Sequence, residues 1–199
     1  MKSNVCKIDK TTKDLDAILK EGDKVAVYNE LTHKQSLQLR LICEEIDGML
    51  PNIINDYEGD FWIEFEKGVC KVNLSIEFSE FTVEKKKELI SIAKDKKNAA
   101  ITGIASKIRS AVENFFLDDE NMRGYAMSSE AFRMATGYAD DINYSYYWSL
   151  EQYRNEVKKA QKTEDWDELE KSVIASVADD IVVGVKGKHA DIIIIKNFA

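Results

Sequence analysis

Apolar residues recur at helical spacing early in the chain. Leu15, Ile18, Leu19, Val25, Ala26 and Leu31 share a stripe over about Thr12 to Leu31. The stripe predicts a helix, which Gly22 weakens, with a short strand over Lys24 to Tyr28 as the alternative. Thr32, with Gln35 three positions on, forms a capping box that opens a second helix. Leu37, Leu39, Leu41, Ile42, Ile46, Met49 and Leu50 follow. Pro51 lacks an amide donor, so it kinks this helix or lies near its end. The pattern then changes to period two. Phe61, Ile63 and Phe65 alternate with Trp62 and Glu64, and Glu66-Lys67-Gly68 makes a turn. Cys70, Val72, Leu74, Ile76 and Phe78 alternate on its far side, which is a β-hairpin with one apolar face.

Helical spacing returns over Val83 to Ala93 and over Asn98 to Leu117, where Ile101, Ile104, Ala105, Ile108, Ala111, Val112 and Phe115 form a core-facing stripe. Met122 to Tyr147 is aromatic and weakly periodic, with one short helix predicted at Ser129 to Thr136. Further helices are predicted over Leu150 to Gln161 and Trp166 to Val177. A second hairpin closes the pattern: Ile181 to Val185, a turn at Lys186-Gly187-Lys188, and Ala190 to Lys196. Segregated hairpins and helices predict an α+β fold, a two-layer sandwich of helices on a mixed or antiparallel sheet. The 199 residues read as one domain with an aromatic-rich insertion at about 118–148.

Composition narrows the function classes. The chain is 44% hydrophobic, enough for a sizeable core, and its net charge of −8 makes it a poor duplex DNA binder. No nucleic-acid partner is predicted. Three scattered cysteines, Cys6, Cys43 and Cys70, argue against a disulfide framework and for a reducing compartment. Met1 to Thr12 lacks the apolar core of a signal peptide, and Ile192 to Ile195 is far too short to span a bilayer. The expectation is a cytoplasmic protein with no membrane partner.

Candidate chemistry is sparse. His33 and His189 have no neighbour in the spacing of a zinc site, so no metal site is expected, and no G-x-S-x-G elbow supports a Ser-His-Asp triad. Glu44 and Glu45 stand side by side on the second helix, as a solvated face or as acid–base groups. Lys85, Lys86, Lys87, Lys94, Lys96 and Lys97 make a local basic surplus before the helix that opens at Asn98. Free backbone amides at such a helix start hold phosphate, although a solvated charged face explains the same lysines. Tyr138 to Trp148 serves either as core cover or as a stacking and partner surface. Asp179-Asp180 and Gly184 read as a helix-to-strand turn and a glycine bulge.

One family fits this order of elements. Leu39-Arg40-Leu41-Ile42-Cys43-Glu44-Glu45-Ile46-Asp47-Gly48-Met49 resembles the motif helix of the GHKL superfamily, the histidine-kinase-type ATPase domains that include anti-sigma-factor kinases. Phe61 to Phe78 matches the hairpin that follows it, and Lys97 to Ile104 resembles the helix after the nucleotide lid, with Gly103 a partial match. The resemblance covers about Thr32 to Leu117, with the last hairpin as a further candidate match. It implies a histidine-kinase-like ATPase fold, ATP as ligand, Glu45 facing the phosphates, and Lys96, Lys97, Asn98 and Gly103 cradling them. Two motif positions depart from the family. Met49 stands where it places a magnesium-binding asparagine, and no Asp-x-Gly-x-Gly follows the hairpin. The implied function is therefore regulatory: binding of a purine nucleotide or a protein partner in the manner of an anti-sigma regulator, with magnesium-dependent ATPase or kinase chemistry put in doubt. A non-catalytic protein-interaction module without nucleotide binding is the alternative, and a homodimer stays open.

Overall fold

The computed structural model describes residues 1–9, 15–53, 57–78, 107–108, 129–137, 144, 146–160 and 172–199. In chain order the elements are β1 (Cys6–Asp9), α1 (Leu15–Tyr28), α2 (His33–Ile53), β2 (Tyr57–Glu66), β3 (Val69–Phe78), α3 (Ser129–Thr136), β4 (Tyr146–Ser149), α4 (Leu150–Ala160), α5 (Val173–Val177), β5 (Asp180–Lys186) and β6 (His189–Asn197). The strands form one six-stranded sheet in the order β1-β2-β3-β6-β5-β4, antiparallel throughout. Helices pack on this sheet, so the α+β sandwich expected from the sequence is what the chain forms. The predicted helices over Val83 to Ala93 and Asn98 to Leu117 lie outside the described residues, apart from helical Lys107 and Ile108. The first part of the Trp166 to Val177 helix also lies outside them.

Helix α1 is continuous through Gly22. Its buried face is Ile18, Glu21, Gly22, Val25 and Ala26, which is helical spacing, while Val27 and Tyr28 are exposed. That settles the strand alternative, because period-two burial would have hidden Val27. Gly22 keeps the helices close: a Cβ there would lie 3.2 Å from the Cys43 sulfur of α2.

The buried stripe of α2 is Leu39, Ile42, Cys43, Ile46, Met49 and Leu50. Leu37 falls off it and is exposed, and Pro51 sits in the last helical turn. The capping box forms as predicted. Thr32 N donates to Gln35 Oε1 at 2.8 Å, and Gln35 N donates to Thr32 Oγ1 at 3.4 Å. Gln35 Nε2 also donates to the Phe198 carbonyl at 2.8 Å, tying the helix start to the segment after β6.

Two hairpins make the centre of the sheet. In β2–β3 the loop is Lys67-Gly68, and both residues have positive φ, as a type I′ turn requires. The β5–β6 loop opens on Gly187, also at positive φ. On the helix-covered face, Phe61, Ile63, Val72, Leu74, Ile76, Ile181, Val183, Ile192 and Ile194 are buried with the α2 stripe in one apolar cluster. Ile108 belongs to that cluster.

Two strands were not legible. β1 pairs its four residues with β2, and Ile8 is its one buried side chain. β4 lies within the stretch read as an insertion and forms the other edge. The short helix there was placed correctly. It packs on the sheet face opposite α1 and α2, where Phe132, Val182 and Ile193 form a second, smaller apolar cluster.

Loss of the capping box should be measurable by urea unfolding. Thr32→Ala is expected to cost about 1 kcal/mol. Gln35→Ala should cost more, because it also leaves the Phe198 carbonyl without its donor.

Candidate functional site

The sheet face away from α2 carries a cleft of about 200 Å3. Its floor follows from strand register. Because Leu74, Ile76, Ala190 and Ile192 face the core, period two turns Ser75, Glu77, His189 and Asp191 to the opposite face. Ser75 pairs with Asp191 across β3 and β6, and Glu77 pairs with His189. His189 and Asp191 are two residues apart on β6 and therefore neighbours on that face.

On the other side of Asp191 the register partner is Gly184. The ladder runs through Gly184 without an extra residue, so it is not the bulge expected from the sequence. It makes room for aromatics. A Cβ at Gly184 would lie 2.6 Å from Tyr144 Cδ1 and 2.7 Å from Phe132 Cε2. The two rings lie with centroids 4.0 Å apart. Seated there, Tyr144 donates its hydroxyl to Asp191 Oδ2 at 2.5 Å. Phe132, Tyr144 and Tyr147 thus serve as cover for the second cluster, the plainer of the two roles open to the aromatic segment.

His189 Nε2 lies 3.1 Å from Asp191 Oδ1 and 3.1 Å from Ser75 Oγ. The hydrogen bond to Asp191 raises the His189 pKa above its ordinary 6.5, against an opposing effect of burial. Glu77 also raises it, and Lys186 lowers it. Burial pushes the Asp191 carboxyl up, yet hydrogen bonds from His189, Tyr144 and Ser75 outweigh that and hold it below its ordinary 3.8. The two shifts favour the charged forms of both partners, and the Asp191 carboxylate is contacted by His189 and Tyr144.

A serine, a histidine and an aspartate therefore meet, but not as a catalytic triad. A triad uses both imidazole nitrogens, one on the carboxylate and one on the hydroxyl. Here Ser75 and Asp191 contact the same nitrogen, so proton removal from Ser75 has no relay. Burial also pushes the Cys43 and Cys70 thiols up, Cys70 to about 12, which removes both as thiolate nucleophiles near neutral pH. Among the described residues no group of three His, Cys, Asp or Glu side chains is arranged to hold a metal ion.

The walls of the cleft combine apolar side chains with charged and amide groups. Trp62 donates its indole N–H to Glu64 at 2.9 Å, and the Lys2 ammonium stands 4.6 Å from the Trp62 ring centroid and 3.6 Å from Glu64. Asn73, almost fully buried between β2 and β6, donates to the Lys71 carbonyl at 3.1 Å. Phe132 and Ile193 complete the apolar side, and Arg133 of α3 stands at the rim.

The residues singled out from the sequence lie elsewhere. Glu45 is half-buried on α2, at the border of the stripe that contains Ile42 and Met49. Glu44 is exposed and pairs with Arg40 at 3.1 Å, which also reaches Asp23, so it belongs to a solvated charged face. Met49 is 5% exposed and packs in the main core. Lys96, Lys97, Asn98 and Gly103 lie outside the described residues. His33 is exposed at the start of α2. Asp179 and Asp180 form the expected turn: Asp179 accepts from Lys196 Nζ and Asn197 N, and Asp180 accepts from the Glu151 amide at the start of α4. The missed group is Ser75, Tyr144, His189 and Asp191. The available signal was His189-x-Asp191 at strand spacing beside a run of isoleucines.

Two outcomes follow. Gly184→Ala should lower stability by about 1–3 kcal/mol, because its methyl group displaces Tyr144 and Phe132. The charged pair should also leave a pH signature. A raised His189 pKa stabilises fully below its ordinary 6.5 and loses that contribution as pH rises through the folded value. A lowered Asp191 pKa stabilises above its ordinary 3.8 and loses that as pH falls through the folded value. The stability gap between the protein and His189→Gln should therefore narrow as pH rises above the ordinary 6.5 of the imidazole in urea titrations. A gap that widens as pH rises is the contrary result.

No helix among the described residues is long and apolar enough to cross a membrane. The chain matches no protein-family model, no curated protein and no solved structure.

Proposed function

We propose that this protein is a regulatory binding protein with a histidine-kinase-like ATPase fold that has lost the magnesium chemistry of that fold. It binds a purine nucleotide or a protein partner in the manner of an anti-sigma regulator. The order of two helices, a β-hairpin and a final hairpin on one sheet supports the resemblance. The observation that carries the reading is the burial of Met49 in the core. A thioether there offers no oxygen to a hard cation, and its packing leaves the α2 stripe dedicated to the interior. Glu45 stays half-buried at the edge of that stripe, where the resemblance places a residue facing the phosphates. Lys96, Lys97, Asn98 and Gly103 enter as phosphate-holding residues through the resemblance alone.

Thermal unfolding with millimolar ATP tests this, once with magnesium and once with EDTA. Ligand in several-fold excess over its Kd should raise the Tm by about 2–4 °C for a chain of this size. The rise should be the same in both buffers, with no phosphate released. A rise that needs magnesium, or steady phosphate release abolished by Glu45→Ala, overturns the loss of magnesium chemistry. An unchanged Tm removes the nucleotide and leaves the protein-interaction reading.

A further inference from the structure

The cleft on the opposite sheet face plays no part in that reading. We infer that it is a binding site for a small monocarboxylic acid with an apolar or aromatic body, whose carboxylate is held by Arg133. Three observations converge on that class of ligand.

Size comes first. The cleft holds about 200 Å3. Sites for drug-sized ligands run to roughly 300–1,000 Å3. A single-ring acid fits, and a nucleotide does not.

Its lining comes second. Half-buried Trp62 supplies the apolar wall, backed by the nearly fully buried Phe132 and Ile193, which favours a ligand with an apolar body. Free phosphate would leave that surface unused.

Charge decides the rest. Lys2 is held by Glu64 and the Trp62 ring. Asp191 is occupied by His189, Tyr144 and Ser75, so it offers nothing to a cationic ligand. Arg133 is exposed at the rim and makes no ion pair among the described residues. One unanswered guanidinium above a cleft with an apolar wall suits one carboxylate, since its planar fork donates to both oxygens. A phosphomonoester would bring a second charge for which no second uncommitted cation is described.

The floor is also fixed in advance. Gly184 seats Tyr144, Tyr144 holds Asp191, and Asp191 holds His189, which in turn contacts Ser75. A ligand then orders little beyond the Arg133 side chain, which limits the entropic cost of binding. Arg133 in the last turn of α3 also suits the helix dipole, and that role alone would need no ligand.

Benzoate is a suitable probe and benzamide its neutral counterpart, followed by calorimetry and two-dimensional NMR on the full chain. Benzoate should bind saturably and shift the Trp62 indole and Ile193 signals. Benzamide, and benzoate with Arg133→Gln, should each bind at least about tenfold more weakly. Arg133 is exposed, so the variant keeps the fold, and its unfolding midpoint verifies this. The proposal is overturned by benzoate failing to saturate up to about 10 mM, by equal affinity for benzamide, or by equal affinity of Arg133→Gln. None of these outcomes depends on whether ATP binds at the other face.

Discussion

The pairing of β3 with β6 is the seam on which this structure depends. It joins two hairpins that are far apart in the sequence, over a register running from Val69 opposite Asn197 to Glu77 opposite His189. Each hairpin alone would expose a row of large aliphatic side chains, and a two-stranded ribbon is only marginally stable in water. Joined, they present Val72, Leu74, Ile76, Ile192 and Ile194 to α2 as one surface. A slip of one residue would turn all of these to the wrong face. The same register sets Ser75 beside Asp191. The core and this part of the cleft floor therefore share one determinant.

The two faces of the sheet have divided their tasks. The α2 side is committed to packing, with Met49 inside it and two thiols buried deeply enough to be inert. The other face keeps polar residues at the positions where the strands alternate. A buried carboxylate is costly unless its oxygens are met by donors. Asp191 meets that condition through residues from β3, β6 and the Tyr144 segment. Such a network fixes where its members stand.

Much of the fold was legible because local signals agreed with tertiary need. The Thr32 capping box, the Lys67-Gly68 turn and the alternation of β2 and β3 each specify their own element. β1 was not legible, since Ile8 is its single buried residue and four residues give no period. β4 was hidden because Tyr146, Tyr147 and Trp148 are aromatic on both faces, which erases alternation. The cleft failed to show for a different reason. Tyr144 and Asp191 meet across 47 positions, and Ser75 and His189 across 114. Only the strand order brings them together. Gly184 read as a local backbone irregularity, yet its smallness answers to Tyr144 and Phe132, which no local pattern displays.

The outer strands bear on how copies of the chain meet. β1 and β4 have four residues each, while the four strands between them have seven to ten. Beyond β1, Lys2 bridges to Glu64 in a register offset by one residue from the β1–β2 pairing, with Asn4 held to Glu21 in between. Among the described residues, a neighbouring sheet would find a short or uneven row of backbone groups at either edge. The molecule thus keeps its long, regular strands inside and offers its borders poorly to continuous fibrillar growth.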